Sequence, residues 1–228
     1  MKQRWNHIFF LHAKIAPSLL QPYLPFELDL LDGVALLSIV PFKMDMIRLW
    51  NLPPFPFFSH LWEINLRTYV KVGEKSGVYF FTLDTDSPLG YLIANYFFHL
   101  PYRLSKIKAR VKKEHFYFES QHSLSSFKTS FCITGRKKKK TILDRWATDR
   151  DRLFTLKGGE IYEGRVHHDS WPLEEVENLI FEDHFSTQIP IDCHFDPQES
   201  SYAPVLNVSF ETFRKVHGSS FLLRPIRR

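Results

Sequence analysis

The chain has only two cysteines, Cys132 and Cys193, in 228 residues. They stand far apart and neither has a CxxC partner, which argues against a zinc ribbon and a disulfide framework and fits a reducing compartment. Long apolar runs are missing too. No stretch approaches the roughly 18 apolar residues of a membrane span. Met1–Phe10 carries two basic residues and a short apolar run, without the hydrophobic core or cleavage site of a secretory signal. A cytoplasmic protein with no membrane partner is expected. There is no GxSxG, no P-loop and no GxGxxG after a strand. With no internal repeat and no low-complexity linker, residues 1–228 read as a single domain.

Charge of one sign is also scarce. The formal net charge is +5 with a pI near 9.1, and much of the excess sits in Arg136–Lys140 and in Arg224, Arg227 and Arg228. A nucleic-acid binder spreads such residues along a face, interleaved with aromatics. No nucleic-acid partner is expected, and the run after Gly135 reads as a solvated hairpin tip.

Aromatics are abundant: 22 Phe, with Phe, Trp and Tyr together at 16%. Each buried ring removes about 150–250 Å² from water, and such composition favours strands. Trp5–Ala13 and Val34–Phe42 read as strands, the second buried on both faces. A turn of helix at Pro17–Gln21 lies between them, and a proline-rich loop, Pro53–Pro56, follows. Leu61–Val72 alternates: Trp62, Ile64, Leu66, Thr68, Val70 and Val72 share one face, and Glu63, Asn65, Arg67, Tyr69 and Lys71 share the other. A turn at Gly73-Glu74-Lys75-Ser76 leads into Gly77–Thr85. Pairing Val72 with Gly77 sets Arg67 opposite Thr82 and Asn65 opposite Asp84, so that Glu63, Asn65, Arg67, Thr82 and Asp84 gather on one face.

Pro88–Leu100 is expected to be a helix, with Leu92, Tyr96 and His99 or Leu100 on its stripe. Strands are expected at Leu104–Lys112, His115–Gln121, Phe127–Thr134 and Val205–Glu211, with a hairpin Leu153–Leu156/Glu160–His168 around Gly158-Gly159. Thr141–Arg150 reads as a solvated helix, and Trp171–Ile180 as a helix with an acidic first turn. Asp183–Ser201 is weakly patterned. The fold class is α+β, mainly β: an antiparallel β-barrel with a few flanking helices, which hides the edges of so many strands.

Several segments, in order, resemble the YqjF-like bacterial proteins, a domain of unknown function: Phe10-Leu11-His12, Ile39-Val40-Pro41-Phe42, Glu63-Ile64-Asn65-Leu66-Arg67-Thr68-Tyr69-Val70, Gly77-Val78-Tyr79-Phe80-Phe81, Leu100-Pro101-Tyr102 and His167-His168-Asp169-Ser170-Trp171-Pro172-Leu173. The match spans roughly residues 5–180 and is poor after Ile180. That family is similar to a distant branch of the acetoacetate decarboxylase superfamily, which implies a β-barrel with an internal site. In those enzymes a Gly-Phe-Pro-Lys-Lys corner supplies the Schiff-base lysine and the second lysine that lowers its pKa. Here the corner reads His99-Leu100-Pro101-Tyr102-Arg103, and neither Tyr nor Arg forms an iminium. Lys106 is the only nearby substitute amine.

The candidate site follows. Glu63 and His168 are candidate acid/base residues, and Asn65, Arg67, Asp84, Tyr102 and Arg103 are candidate ligand-binding residues for a small carboxylate or keto compound. The polar hairpin face reads equally as the solvent side of a sheet held by a salt bridge. The His-His-Asp corner reads more readily as a place where His and Trp171 fix backbone geometry. A metal would need His12 and Glu63 as further ligands, and no HxH or HExxH spacing supports one; neither metal nor cofactor is expected. Two functional readings stand: a small-molecule-binding barrel, enzyme or sensor, and a structural or interaction protein whose barrel is filled by Phe and Leu.

Overall fold

A computed structural model describes residues 1–48, 53, 60–123 and 125–216. Of the expected loop Pro53–Pro56, all but Pro53 lies outside the described residues. The strands are β1 (Lys2–Ile15), β2 (Glu27–Leu28), β3 (Ala35–Arg48), β4 (His60–Val72), β5 (Lys75–Thr85), β6 (Tyr102–Leu104) and β7 (Lys106–Lys112). They continue with β8 (His115–His122), β9 (Ser125–Lys137), β10 (Arg152–Lys157), β11 (Glu160–His168), β12 (Glu174–Asp183) and β13 (Phe195–Lys215). Three α-helices interrupt them: α1 (Pro17–Leu20), α2 (Pro88–Phe97) and α3 (Ile142–Thr148).

All thirteen strands join one sheet. The pairings run β1-β3-β4-β5-β10-β11-β13, and β13 pairs back onto β1 from Lys2↔Ser209 to Ala13↔Phe195, so these strands form a closed cycle of ladders. The order then continues from β13 through β12, β9, β8 and β7 as a wing. Most ladders are antiparallel; β5 pairs β10 and β6 in parallel.

Alternation along β4 divides the molecule. Ile64, Leu66 and Val70 join Phe9, Leu11, Ile39 and the wing residues Phe116, Phe118, Phe127 and Phe131 in the main core. The phenylalanines therefore fill the layer between the cycle and the wing. Glu63, Asn65 and Arg67 point the other way, where only smaller apolar clusters form. That face is buried rather than solvated: Glu63 is 2% exposed, Asn65 3% and Arg67 9%.

Several expectations are corrected. The β4–β5 turn has two residues, Gly73-Glu74, with Val72 opposite Lys75. Gly73, at φ +60°, supplies the left-handed backbone such a tight hairpin needs. A bulge then shifts the register between Leu66 and Arg67, giving Asn65↔Leu83 and Ile64↔Asp84. Trp171–Ile180 is not a helix: β12 pairs with β9, and its acidic residues answer Arg136 across the ladder, at 3.0 Å to Glu175 and 2.5 Å to Glu177. Asn178, at φ +53°, also departs from a right-handed helix.

The helix expected over Thr141–Arg150 ends at Thr148 and is not solvated. Thr141 and Asp144 form a capping box, and buried Asp144 pairs with Lys138 at 2.9 Å. The basic run is accordingly no hairpin tip, since it carries the chain from β9 into α3. In α2 the expected stripe faces outward, with Leu92 59% and Tyr96 77% exposed. The expected strand Leu104–Lys112 breaks at Ser105 into β6 and β7, and the last strand is far longer than Val205–Glu211.

Candidate functional site

A cavity of about 160 Å³ opens on the inner face of the cycle, and each of its seven strands contributes to the lining. The interior is thus not packed solid by side chains. Most lining residues are apolar, among them Ile8, Val40, Phe42, Val78, Phe80 and Leu83. The polar residues on β4 are Glu63, Asn65 and Arg67, two residues apart and therefore stacked along one side of a strand. Tyr102 reaches the same space because its strand pairs Tyr102 with Leu83, the residue opposite Asn65.

Arg67 is the unusual member. Among the described residues its guanidinium makes no hydrogen bond and no ion pair, and its Nε is buried without a partner. Two aromatic rings lie beside it: Phe10 at 5.5 Å and Tyr69 at 5.8 Å from the guanidinium carbon. A buried cation without a counter-charge costs several kcal/mol of desolvation that such contacts only partly offset. Tyr69 is in turn fixed by a buried chain, with Ser38 Oγ 3.1 Å from its hydroxyl and 2.7 Å from His12 Nδ1. Burial first, and then the Arg67 charge, lower His12 to about 3, so its ring is neutral there.

Glu63 accepts hydrogen bonds from the Tyr102 hydroxyl and, at 3.3 Å, from Asn65 Nδ2. Burial nevertheless dominates and pushes the carboxyl up to about 7, against the lowering effects of both bonds and of Arg67. Asn65 Oδ1 has no partner. Turning the amide over would let protonated Glu63 donate to it, so one pair of side chains can serve both charge states. Burial, followed by the Glu63 charge, holds the Tyr102 phenol well above its usual range, which keeps it a donor.

Asp84 and Arg103 do not share this site, which corrects the expected grouping. Asp84 pairs with Ile64, and Arg103 follows Tyr102 by one residue, so both project from the opposite face. Arg103 is fully engaged there: Nε donates to Asp84 at 2.7 Å, and its other nitrogens donate to Gln188 and, at 3.1 Å, to Ser125. It braces β6, β5 and β9 and is not free to clamp an anion. Of the two positions replacing the lysine pair, only Tyr102 faces the cavity.

His168 does line the cavity, but its ring nitrogens lie 2.8 Å from the Asp169 carbonyl and 3.3 Å from the Arg150 carbonyl. With Trp171, whose indole donates to the Thr148 carbonyl at 2.8 Å, it ties the end of β11 to the end of α3. Among the described lining residues there is no lysine, and Lys106 is exposed on β7. Sequence reading missed two cationic lining residues, Arg150 and Arg152. Both are paired: Arg150 stacks 4.1 Å over Trp146 and bonds Asp29 at 2.7 Å, and Arg152 bonds Glu163 at 3.2 Å. The spacing of Trp146 and Arg150, i and i+4, was the available signal.

The DUF2071 family, described as an uncharacterized conserved protein, matches residues 2–209. The chain belongs to this family. It is 35% identical over 185 residues to the uncharacterized protein YqjF of Bacillus subtilis, covering 78% of this chain and 76% of that one. Solved structures share its fold at low identity. An acetoacetate decarboxylase-like enzyme from Sphingomonas wittichii superposes with a TM-score of 0.67 at 12% identity, covering 96% of this chain and 93% of that one. Acetoacetate decarboxylase from Legionella pneumophila gives 0.66 at 13%, covering 95% and 88%. The enduracididine biosynthesis enzyme MppR, complexed with pyruvate, gives 0.65 at 9%, covering 94% and 89%. These DUF2071 residues thus sit on an acetoacetate decarboxylase-like, mainly β fold.

Proposed function

We propose that this DUF2071 protein is a barrel that binds a small organic carboxylate or keto acid in its lumen and moves a proton on it without a Schiff base. One observation carries the reading: Arg67 is nine-tenths buried at a cavity and has no partner among the described residues. A guanidinium in that state matches a carboxylate, which it can hold by two parallel hydrogen bonds. The fold likeness to acetoacetate decarboxylase and to a pyruvate-binding structure supports the same class of ligand.

Glu63 supplies the chemistry. A carboxyl that titrates at about 7 is present in both forms at neutral pH, the condition general acid–base catalysis favours. Ionised Glu63 takes a proton from the carbon beside the ligand's carbonyl. The C–H electron pair becomes the enolate, and the proton returns to carbon or oxygen. Tyr102 donates to whichever oxygen carries the charge. The exchange needs no electron acceptor and no amine.

The test is calorimetric titration with butyrate, pyruvate and acetoacetate, in wild type and in Arg67→Met. Binding in the wild type that weakens at least tenfold in the variant is expected; three ligands that do not bind would refute the reading. Deuterium exchange into the pyruvate methyl in D₂O, lost in Glu63→Gln, tests the proton transfer separately.

A further inference from the structure

We infer that the outward face of α2 is a contact surface and that its partner is a second copy of this chain, joined across a two-fold axis. The inference stands apart from what the cavity binds.

α2 carries no charged residue from Pro88 to Phe97. Its inward side is accounted for, since Gly90, Ile93 and Ala94 line the cavity. Its one side-chain amide is also engaged: Asn95 Nδ2 donates to the Tyr91 carbonyl at 3.0 Å and to the Tyr102 carbonyl at 3.1 Å. Among the described residues nothing covers the outward side. Leu89, Leu92 and Tyr96 recur there at i, i+3 and i+7, the spacing of one helix face. They are 47%, 59% and 77% exposed, and Phe97, at 62%, widens the stripe with its ring 5.1 Å from that of Tyr96. A helix that is apolar on both sides belongs in a place that is covered on both.

Charge and area together select a second copy. A helix that lies on a lipid surface carries Lys or Arg on its polar face, and α2 has neither. A two-fold axis sets each patch against its own image, which brings like charges together wherever a patch is charged. This patch has none to bring. An aromatic side chain offers about 150–250 Å² when fully exposed, so these four partly exposed side chains present roughly 450 Å² per copy. That lies in the range of about 300–600 Å² in which the largest apolar patch of a chain is often functional. With a polar rim, two copies would bury roughly 1,000–1,200 Å² in all, the low end for a specific interface. The dimer is therefore expected to dissociate in the micromolar range. Because Ile93 and Ala94 lie on the other side of the same helix, the partner's α2 backs the wall of each cavity.

The experiment is analytical ultracentrifugation of the full chain from roughly 1 to 200 µM, a range that brackets micromolar dissociation constants. It is repeated on Leu92→Glu and, separately, on Tyr96→Glu. The wild-type mass should rise from one chain to two and stop there, because a two-fold contact closes on itself. Each variant sets two unpaired carboxylates into the contact and should weaken association at least about a hundredfold. Both positions are exposed in the single chain, so the urea midpoint of each variant, measured on dilute monomer, should stay close to that of wild type. That second reading separates a lost contact from a lost fold. A wild-type chain that remains single at the highest concentration overturns the inference. So does a dimer that both variants retain, or a mass that grows past two chains.

Discussion

Glu63→Gln should change how stability depends on pH, and the sign follows from the burial of the carboxyl. Glu63 titrates at about 7 in the fold and near 4.5 when solvated. Between these values the unfolded chain has lost a proton that the folded chain keeps, so stability falls as pH rises. The fall is about 1.4 kcal/mol per pH unit and about 3 kcal/mol in all. His12 works in the opposite direction. It titrates near 3 in the fold against 6.5 outside, so its contribution is whole above 6.5 and is lost as pH drops towards 3, about 5 kcal/mol in total.

The Glu63 and His12 slopes oppose each other between pH 4.5 and 6.5, so the comparison with a variant that lacks the Glu63 titration isolates its share. The glutamine side chain of the Glu63→Gln variant would keep the neutral shape, accepting from Tyr102 and donating to the unpaired Asn65 Oδ1, while losing the titration. Urea unfolding of both proteins at half-unit steps from pH 4 to 8 gives the difference directly. The variant should match wild type at pH 4.5 and gain about 3 kcal/mol over it by pH 7.5. A difference that stays constant with pH would refute the buried, half-protonated carboxyl. So would a carbon-13 titration of Glu63 with its midpoint near 4.5.

Three further outcomes are expected. Arg67→Met should raise unfolding stability by about 1–3 kcal/mol in urea melts, because it removes an uncompensated buried charge from an apolar wall; a loss of stability would mean that the cation is paired in solution. Gly77→Ala should cost about 1–3 kcal/mol in the same melts, since its Cβ would stand 2.7 Å from the Phe154 ring and 3.0 Å from the Arg152 carbonyl. Incubation with acetoacetate and borohydride should leave every lysine unmodified by mass spectrometry, because no described lining residue is a lysine and an exposed amine such as Lys106 is almost wholly protonated at neutral pH.

The sequence made the β4 alternation legible because a strand has a period of two whatever surrounds it, and so the pattern alone groups Glu63, Asn65 and Arg67 on one face. Burial of that face was not legible, since alternation looks the same whether the polar side meets water or a lumen. The place of Asp84 was lost for a narrower reason. One bulge moves it to the other face, while the turn, two residues shorter than expected, changes its partner but not its side; such a bulge leaves no mark in the sequence as strong as hydrophobic periodicity. The β12 segment misled because an acidic stretch after a proline suits a helix start and a strand facing Arg136 equally well. The phenylalanine content suggested a filled interior, yet many of those rings, Phe9, Phe116, Phe118, Phe127 and Phe131 among them, serve the layer between cycle and wing, a partition that only topology reveals. Even at the replaced corner, adjacent Tyr102 and Arg103 look like one unit in sequence, and strand geometry sends them to opposite faces.

Arg67 and Glu63 share one cavity wall, and this couples ligand binding to proton uptake. The Arg67 charge lowers Glu63, although burial outweighs it. A carboxylate bound to Arg67 cancels that cation and adds a negative charge nearby. Both changes favour protonated Glu63. By linkage, binding must then take up protons, and affinity must fall as pH rises through the titration of Glu63. Near pH 7 the free carboxyl is about half protonated, so uptake there is at most about half a proton; at pH 5 it is close to zero because the proton is already present. Titrating butyrate at pH 7 in phosphate and in Tris, whose ionisation enthalpies differ widely, reads the uptake as the change in apparent binding enthalpy between buffers. Glu63→Gln should abolish that buffer dependence while retaining binding. Proton release on binding, or an uptake that survives in the variant, would show that the ligand's charge does not settle on Arg67 within reach of Glu63.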